Sequence, residues 1–206
     1  LEIMLKYKHP VGIITKNALI TRDLDILEEL AKLNLVAVNI SITSLKEELR
    51  RKLEPRTASS RKKLEAIQLL SQHGIPVNVL MAPIIPALND DEIFSIAKEA
   101  ASYGALSMYH QIVRLNGPNG EIFTDWVTKN YPDRAEKVLN QLREMHGGKL
   151  SDSRFGTRMK GEGIYALNIQ RQVELARKRF LPAKPFPKLR NDLFSRPDTS
   201  GQMTLF

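Results

Sequence analysis

Short apolar runs alternate with amphipathic stretches along residues 1–115 of the chain. Pro10–Thr15 reads as a short strand, and Leu24–Leu33 repeats its apolar residues at the spacing of a helix with one buried face. Val36–Thr43 is a β-branched strand, followed by helical patterns over Leu45–Leu53 and Ser60–His73. Gly74 stops the second of these, and Pro76 leads into a strand over Val77–Ile85. Asp90–Tyr103 is helical again and ends at Gly104, before a fourth strand at Leu106–Arg114. Crossovers of this length join parallel strands, so the pattern predicts an α/β layer of about four parallel strands.

Residues 116–180 change character. Glu121–Tyr131, Asp133–His146 and Gly161–Phe180 have helical spacing, interrupted by Gly147-Gly148 and a polar stretch. They predict a C-terminal helical extension. From Leu181 the chain is rich in Pro and basic residues, with Pro182, Pro185, Pro187 and Pro197, which predicts an extended, loosely packed tail over 181–206.

The strand Val36–Thr43 is two-faced. Its even positions are Val or Ile, while Ala37, Asn39, Ser41 and Thr43 form the other side. Parallel strands covered on both faces read as continuous apolar runs, and each buried hydroxyl or amide needs a partner. One side is therefore expected to pack under helices and the other to face an open, ligand-lined interior, with an exposed sheet face as the alternative. In α/β barrels the chemistry sits at the C-terminal strand ends. Those ends carry Thr15, Lys16 and Asn17, then Ser41 and Thr43, then Pro83 to Pro86, then Gln111 and Arg114.

Composition narrows the field. With 206 residues, 42% of them hydrophobic, the chain can bury a sizeable core in one domain. No apolar run approaches the ~18 residues of a membrane span, and the run after Lys6 and Lys8 breaks at Thr15-Lys16, too soon for a signal peptide. A soluble, cytoplasmic protein is expected. There is no cysteine, which excludes disulfides and thiolate-ligated metal. The formal net charge of +8 favours anionic partners, nucleic acid among them. Basic clusters occur at Arg50-Arg51-Lys52 and Arg177-Lys178-Arg179, with Lys184, Lys188 and Arg190 beyond. On helices such as Leu45–Glu54 and Arg61–Gln72, a solvated face is the competing explanation.

Ile14-Thr15-Lys16-Asn17 resembles the third strand of radical S-adenosylmethionine (SAM) proteins of the spore photoproduct lyase branch, and Ile40-Ser41-Ile42-Thr43 resembles their fourth. Leu53-Glu54-Pro55-Arg56-Thr57-Ala58-Ser59, followed by Leu64-Glu65-Ala66, is the most specific match. Gly74-Ile75-Pro76-Val77, Ala82-Pro83-Ile84-Ile85-Pro86 and Asn89-Asp90 continue it in order. The resemblance implies the later units of an incomplete (β/α)6 barrel over residues 1–115. It also implies a parent enzyme, lyase-like, that cleaves SAM with a [4Fe–4S] cluster to generate a 5′-deoxyadenosyl radical, with DNA repair as its setting. The cluster-binding CxxxCxxC loop and the second strand are missing, so the resemblance implies that this chain alone is inactive. Opening at Leu1 rather than Met fits a fragment.

Carried over by position, Lys16 and Ser41 are implied SAM contacts, with Thr43 beside them. Pro83 lies in the implied adenine-packing wall, and Gln111 lies on the strand whose backbone reads the adenine edge. Lys63 stands where relatives often have Arg and is left out of the implied site, because a point charge replaces a planar donor. Glu54 and Arg56 are read as an internal ion pair that orders their loop. The competing function is a non-catalytic basic α/β module that binds nucleic acid or a protein. Finally, Gln202-Met203-Thr204-Leu205-Phe206 resembles the peptide by which bacterial repair proteins dock on the DNA polymerase sliding clamp.

Overall fold

The computed structural model describes residues 1–151, 154 and 158–194. A short helix, α1 (Glu2–Lys6), leads into strand β1 (Val11–Thr15). Three βα units follow: α2 (Leu24–Lys32) and β2 (Val36–Ser41), then α3 (Glu47–Leu53), α4 (Ser60–Gln72) and β3 (Val77–Ile84), then α5 (Ile93–Ser102) and β4 (Ser107–Ile112). The four strands form one parallel sheet in the order β1-β2-β3-β4. This is the α/β layer that the alternation predicts. Helices α6 (Asn119–Asn130), α7 (Pro132–Met145) and α8 (Gly163–Phe180) make up the extension.

One device is repeated at each entry into the sheet. Asn34, Gly74 and Gly104 adopt positive φ of 58°, 71° and 98°, ending α2, α4 and α5. In each case the next residue returns its N–H to the carbonyl five residues back: Leu35 to Leu30 at 2.9 Å, Ile75 to Leu70 at 3.0 Å and Ala105 to Ala100 at 2.9 Å. The same residue pairs are buried apolar side chains, so hydrogen bond and packing close each helix together. At Gly104 a side chain is excluded outright, since a Cβ would stand 2.7 Å from Ser71 Cβ.

Strand pleating then sorts the two faces. Val36, Val38, Ile40, Val77, Val79, Met81, Met108 and Ile112 are fully buried in the core beneath the helices. The opposite face carries a cross-strand row Ile14–Asn39–Asn78–Ser107 and a second row Ser41–Leu80–Tyr109. Asn78 donates to Asn39 Oδ1 at 2.7 Å, and Asn39 donates to the Ile13 carbonyl at 3.2 Å. The two amides thus link three strands, while Asn78 Oδ1 is left without a hydrogen-bond partner among the described residues. Ile14 stays 68% exposed, so this inner face is open on the β1 side among the described residues.

Helix α8 buries Ala166, Ile169, Val173 and Ala176 against α5 and β4. The Trp126 indole donates to the Lys52 carbonyl at 3.0 Å, which ties α6 to α3. The tail runs extended from Leu181 and touches the sheet again where the Arg190 N–H meets the Asn34 carbonyl at 2.9 Å. Gln202, Met203, Leu205 and Phe206 lie outside the described residues. Among the described residues, no helix is long and apolar enough to cross a membrane.

Candidate functional site at the strand ends

Three donors from three parts of the chain converge on one backbone carbonyl, that of Ala82 near the end of β3. Ser41 Oγ donates to it at 3.1 Å, Thr43 Oγ1 at 3.3 Å and Lys16 Nζ at 3.3 Å. Ala82 O is free to accept them because it faces β2 just past the last rung of the β2–β3 ladder, where Ser41 pairs with Leu80 and the Ile42 N–H donates to the Leu80 carbonyl. A carbonyl has two lone pairs, so three donors oversupply it.

Glu54 closes the cluster. One carboxylate oxygen takes Lys16 Nζ and, at 2.9 Å, Thr43 Oγ1. The other lies 3.7 Å from Lys63 Nζ and accepts no hydrogen bond among the described residues. Arg50 sets the position of Glu54 from the backbone side, donating to the carbonyls of Glu54 at 3.2 Å and Thr57 at 3.0 Å. Lys63 is 1% exposed, and burial pushes its ammonium below the ordinary lysine range, with Glu54 opposing the shift and Lys16 adding to it.

Asn89, fully buried, fastens the neighbouring loop. It accepts from the Ile85 N–H at 2.7 Å and donates to the carbonyls of Thr43 at 2.7 Å and Pro83 at 3.1 Å. Glu92 does the same one layer out, accepting from Ser44 Oγ at 2.8 Å and the Leu45 N–H at 2.7 Å.

The structure therefore brings Lys16, Ser41 and Thr43 into one hydrogen-bonded group. Pro83 adjoins it through its carbonyl. Gln111 is half-buried on β4, two residues past Tyr109 on the inner face and outside the bonded group. The expected Glu54–Arg56 pair does not form. Arg56 is exposed, and Glu54 turns inward because two lysines reach it there. Lys63 and Asn89 are the residues that sequence reasoning left out. A signal for Lys63 existed: it shares the buried stripe Ser60–Lys63–Leu64–Ile67–Leu70, and a lysine on an apolar stripe needs a carboxylate.

Two members of the first basic cluster are engaged within the fold, while Arg51 is exposed. Arg50 is 7% exposed and holds the loop, while Lys52 pairs with Glu48 at 2.8 Å and stacks on Tyr131. Arg190 is paired with Asp192 at 2.6 Å.

Parallel strands with polar groups on one face and converging donors at their C-terminal ends make part of an incomplete α/β barrel. The family model for the radical SAM superfamily matches residues 1–100. Among solved structures, spore photoproduct lyase complexed with dinucleoside spore photoproduct aligns at TM-score 0.59 and 18% identity, over 84% of this chain and 49% of that one. A mutant of the same lyase with bound AdoMet and dinucleoside spore photoproduct aligns at TM-score 0.57 and 16% identity, with the same coverage. These likenesses establish the fold. Among curated proteins, an uncharacterized protein of Mycobacterium tuberculosis is 27% identical over 66% of this chain and 40% of its own length. An uncharacterized protein of Acidianus two-tailed virus is 31% identical over 62% of this chain and 46% of its length. The chain spans less than half the length of these relatives.

The radical SAM superfamily implies SAM and a [4Fe–4S] cluster, and the two meet different fates here. The cluster does not fit: the sequence has no cysteine, and among the described residues no group of three or more His, Asp or Glu is placed to hold a metal. SAM does fit. Two ammonium groups face one carboxylate, leaving positive charge for a second carboxylate, and the hydroxyls crowded on Ala82 O can turn to a ligand.

Proposed function

We propose that this chain forms the SAM-holding, C-terminal part of the barrel of a radical SAM enzyme that acts in DNA repair in the cytoplasm. The observation that carries the proposal is the convergence of Lys16, Ser41 and Thr43 on Ala82 O at the open ends of parallel strands. Lys16 meets the methionyl carboxylate, with Glu54 holding the amine until the ligand arrives. Ser41 and Thr43 bond the carboxylate or the ribose. Pro83 and the half-buried Ala82 offer a flat wall for adenine, with Gln111 at its edge. When bound beside a reducing cluster, SAM supplies a 5′-deoxyadenosyl radical. Without cysteines the chain cannot hold that cluster, and it is inactive alone.

The test is made on the complete polypeptide that carries this sequence. A CxxxCxxC loop ahead of Leu1 and release of methionine and 5′-deoxyadenosine from SAM under reduction are expected. A complete polypeptide without that loop overturns the proposal in favour of a non-catalytic basic module.

A further inference from the structure

We infer a second binding site, for one nucleotide unit of a single-stranded nucleic acid, in the hollow between β4, α8 and the tail. This inference does not rest on the SAM reading, because it concerns other residues, on β4, α8 and the tail.

The hollow holds about 510 Å³ and is lined by Ser107, Tyr109, Arg177, Lys178, Lys184 and Phe186, with Glu174 at its border. Ser107 opens β4 beside Asn78. Asn78 and Ala82 are four residues apart on β3, so Ser107 lies about 13 Å below Ala82 at strand rise, while Tyr109 sits on the Ser41 row, two strands away from it.

Its chemistry is specific. Tyr109 leaves 47% of itself exposed on the inner face, and the Arg177 guanidinium lies over its ring, 5.4 Å from the centroid. An exposed aromatic ring with a cation beside it suits an aromatic base carrying negative charge. Phe186 supplies a second aromatic surface from the tail. Arg177, Lys178 and Lys184 give three positive charges against the single carboxylate of Glu174, which already accepts a hydrogen bond from Gln170 at 3.0 Å. Among the described residues, none of these three cations is in a salt bridge. A flat hydrophobic platform rimmed by cations matches a base attached to a phosphate. It takes an unstacked base, which selects single strands over duplex. Arg179 and Lys188, exposed on the same helix and the same tail, add positive charge that favours a polymer over a free nucleotide.

The probe is a labelled oligothymidylate of about 15 nucleotides, titrated onto the whole chain without SAM and followed by fluorescence anisotropy. Binding at low salt is expected, with weaker binding of a duplex of equal length and competition by millimolar thymidine monophosphate. Phe186→Ala and Tyr109→Leu each weaken the oligomer roughly tenfold without changing the salt slope. Lys184→Ala lowers that slope by about one, and Arg61→Ala on the exposed face of α4 changes nothing. Phe186 lies on the tail, so its variant reports even if Tyr109→Leu fails to fold. No binding at low salt overturns the inference. So do a loss confined to Lys184→Ala, which marks general electrostatics, and monophosphate binding as tightly as the oligomer, which marks a free-nucleotide site.

Discussion

The Lys63 ammonium stands 3.7 Å from Glu54 Oε2 with 1% of the residue exposed, so a buried lysine backs the carboxylate that restrains Lys16. This pair orders the strand-end cluster from behind. Removing Lys63 leaves Glu54 with Lys16 alone as counter-charge. Lys63→Ala is expected to destabilise the fold by about 2–4 kcal/mol, read from urea unfolding midpoints. Lys63→Arg, which keeps the charge, should lose less.

The same pair has a pH signature. Burial lowers the folded-state pKa of Lys63 below its unfolded value, with Glu54 and the nearby cations modifying the shift. Between those two values the unfolded chain binds more protons than the folded one, so stability rises with pH there; the burial penalty is fully present below the folded value and gone above the unfolded one. The difference in stability between wild type and Lys63→Met should therefore shift toward wild type as pH rises through that window. A pH-independent difference would show that Lys63 is not the titrating group.

The fold was largely legible because its signals are local. The four strands and the helices between them follow from apolar spacing, and Gly74 and Gly104 mark helix ends by residue type alone. Asn34 performs the same task without being a glycine, and α1 carries no clear periodicity in five residues. The site was only half legible. Ser41 and Thr43 stand out as polar groups on a β-branched strand, but their shared acceptor is a backbone carbonyl left open where the β2–β3 ladder ends, which no side-chain pattern announces. Lys63 was hidden differently. It sits in Arg61–Lys62–Lys63, where three successive cations look like one solvated face, yet the helix turns the third into the core. The Glu54–Arg56 expectation failed for a related reason, since neighbours in sequence point apart in a turn while Lys16 and Lys63 arrive from elsewhere.

Ser41→Ala and Lys16→Ala should each weaken SAM binding to the complete protein by ~1–3 kcal/mol, since each removes a shielded, charge-assisted donor. Equilibrium binding with the cluster intact is the measurement. Unchanged affinity in both variants would move the cofactor away from these strand ends.

The chain itself should bind no iron–sulfur cluster, because it offers no thiolate. Reconstitution with iron and sulfide should leave no charge-transfer absorption after desalting. Stoichiometric cluster retention would contradict the ligand set drawn here.

Gly104→Ala should cost about 2–4 kcal/mol, because φ of +98° strains any Cβ and this one meets Ser71 Cβ at 2.7 Å. Gly74→Ala is the control. Its φ is +71°, but open space surrounds the added methyl, so only the backbone term of about 1–2 kcal/mol remains. Both substitutions lie at helix-to-strand turns of the same design, so a difference between them isolates the contact with Ser71. If steric exclusion at Ser71 is the cause, Ser71→Gly in the Gly104→Ala background should recover part of the loss. Equal costs for the two glycine variants would mean that backbone strain alone governs these turns, and that α4 yields to the intruding methyl without penalty.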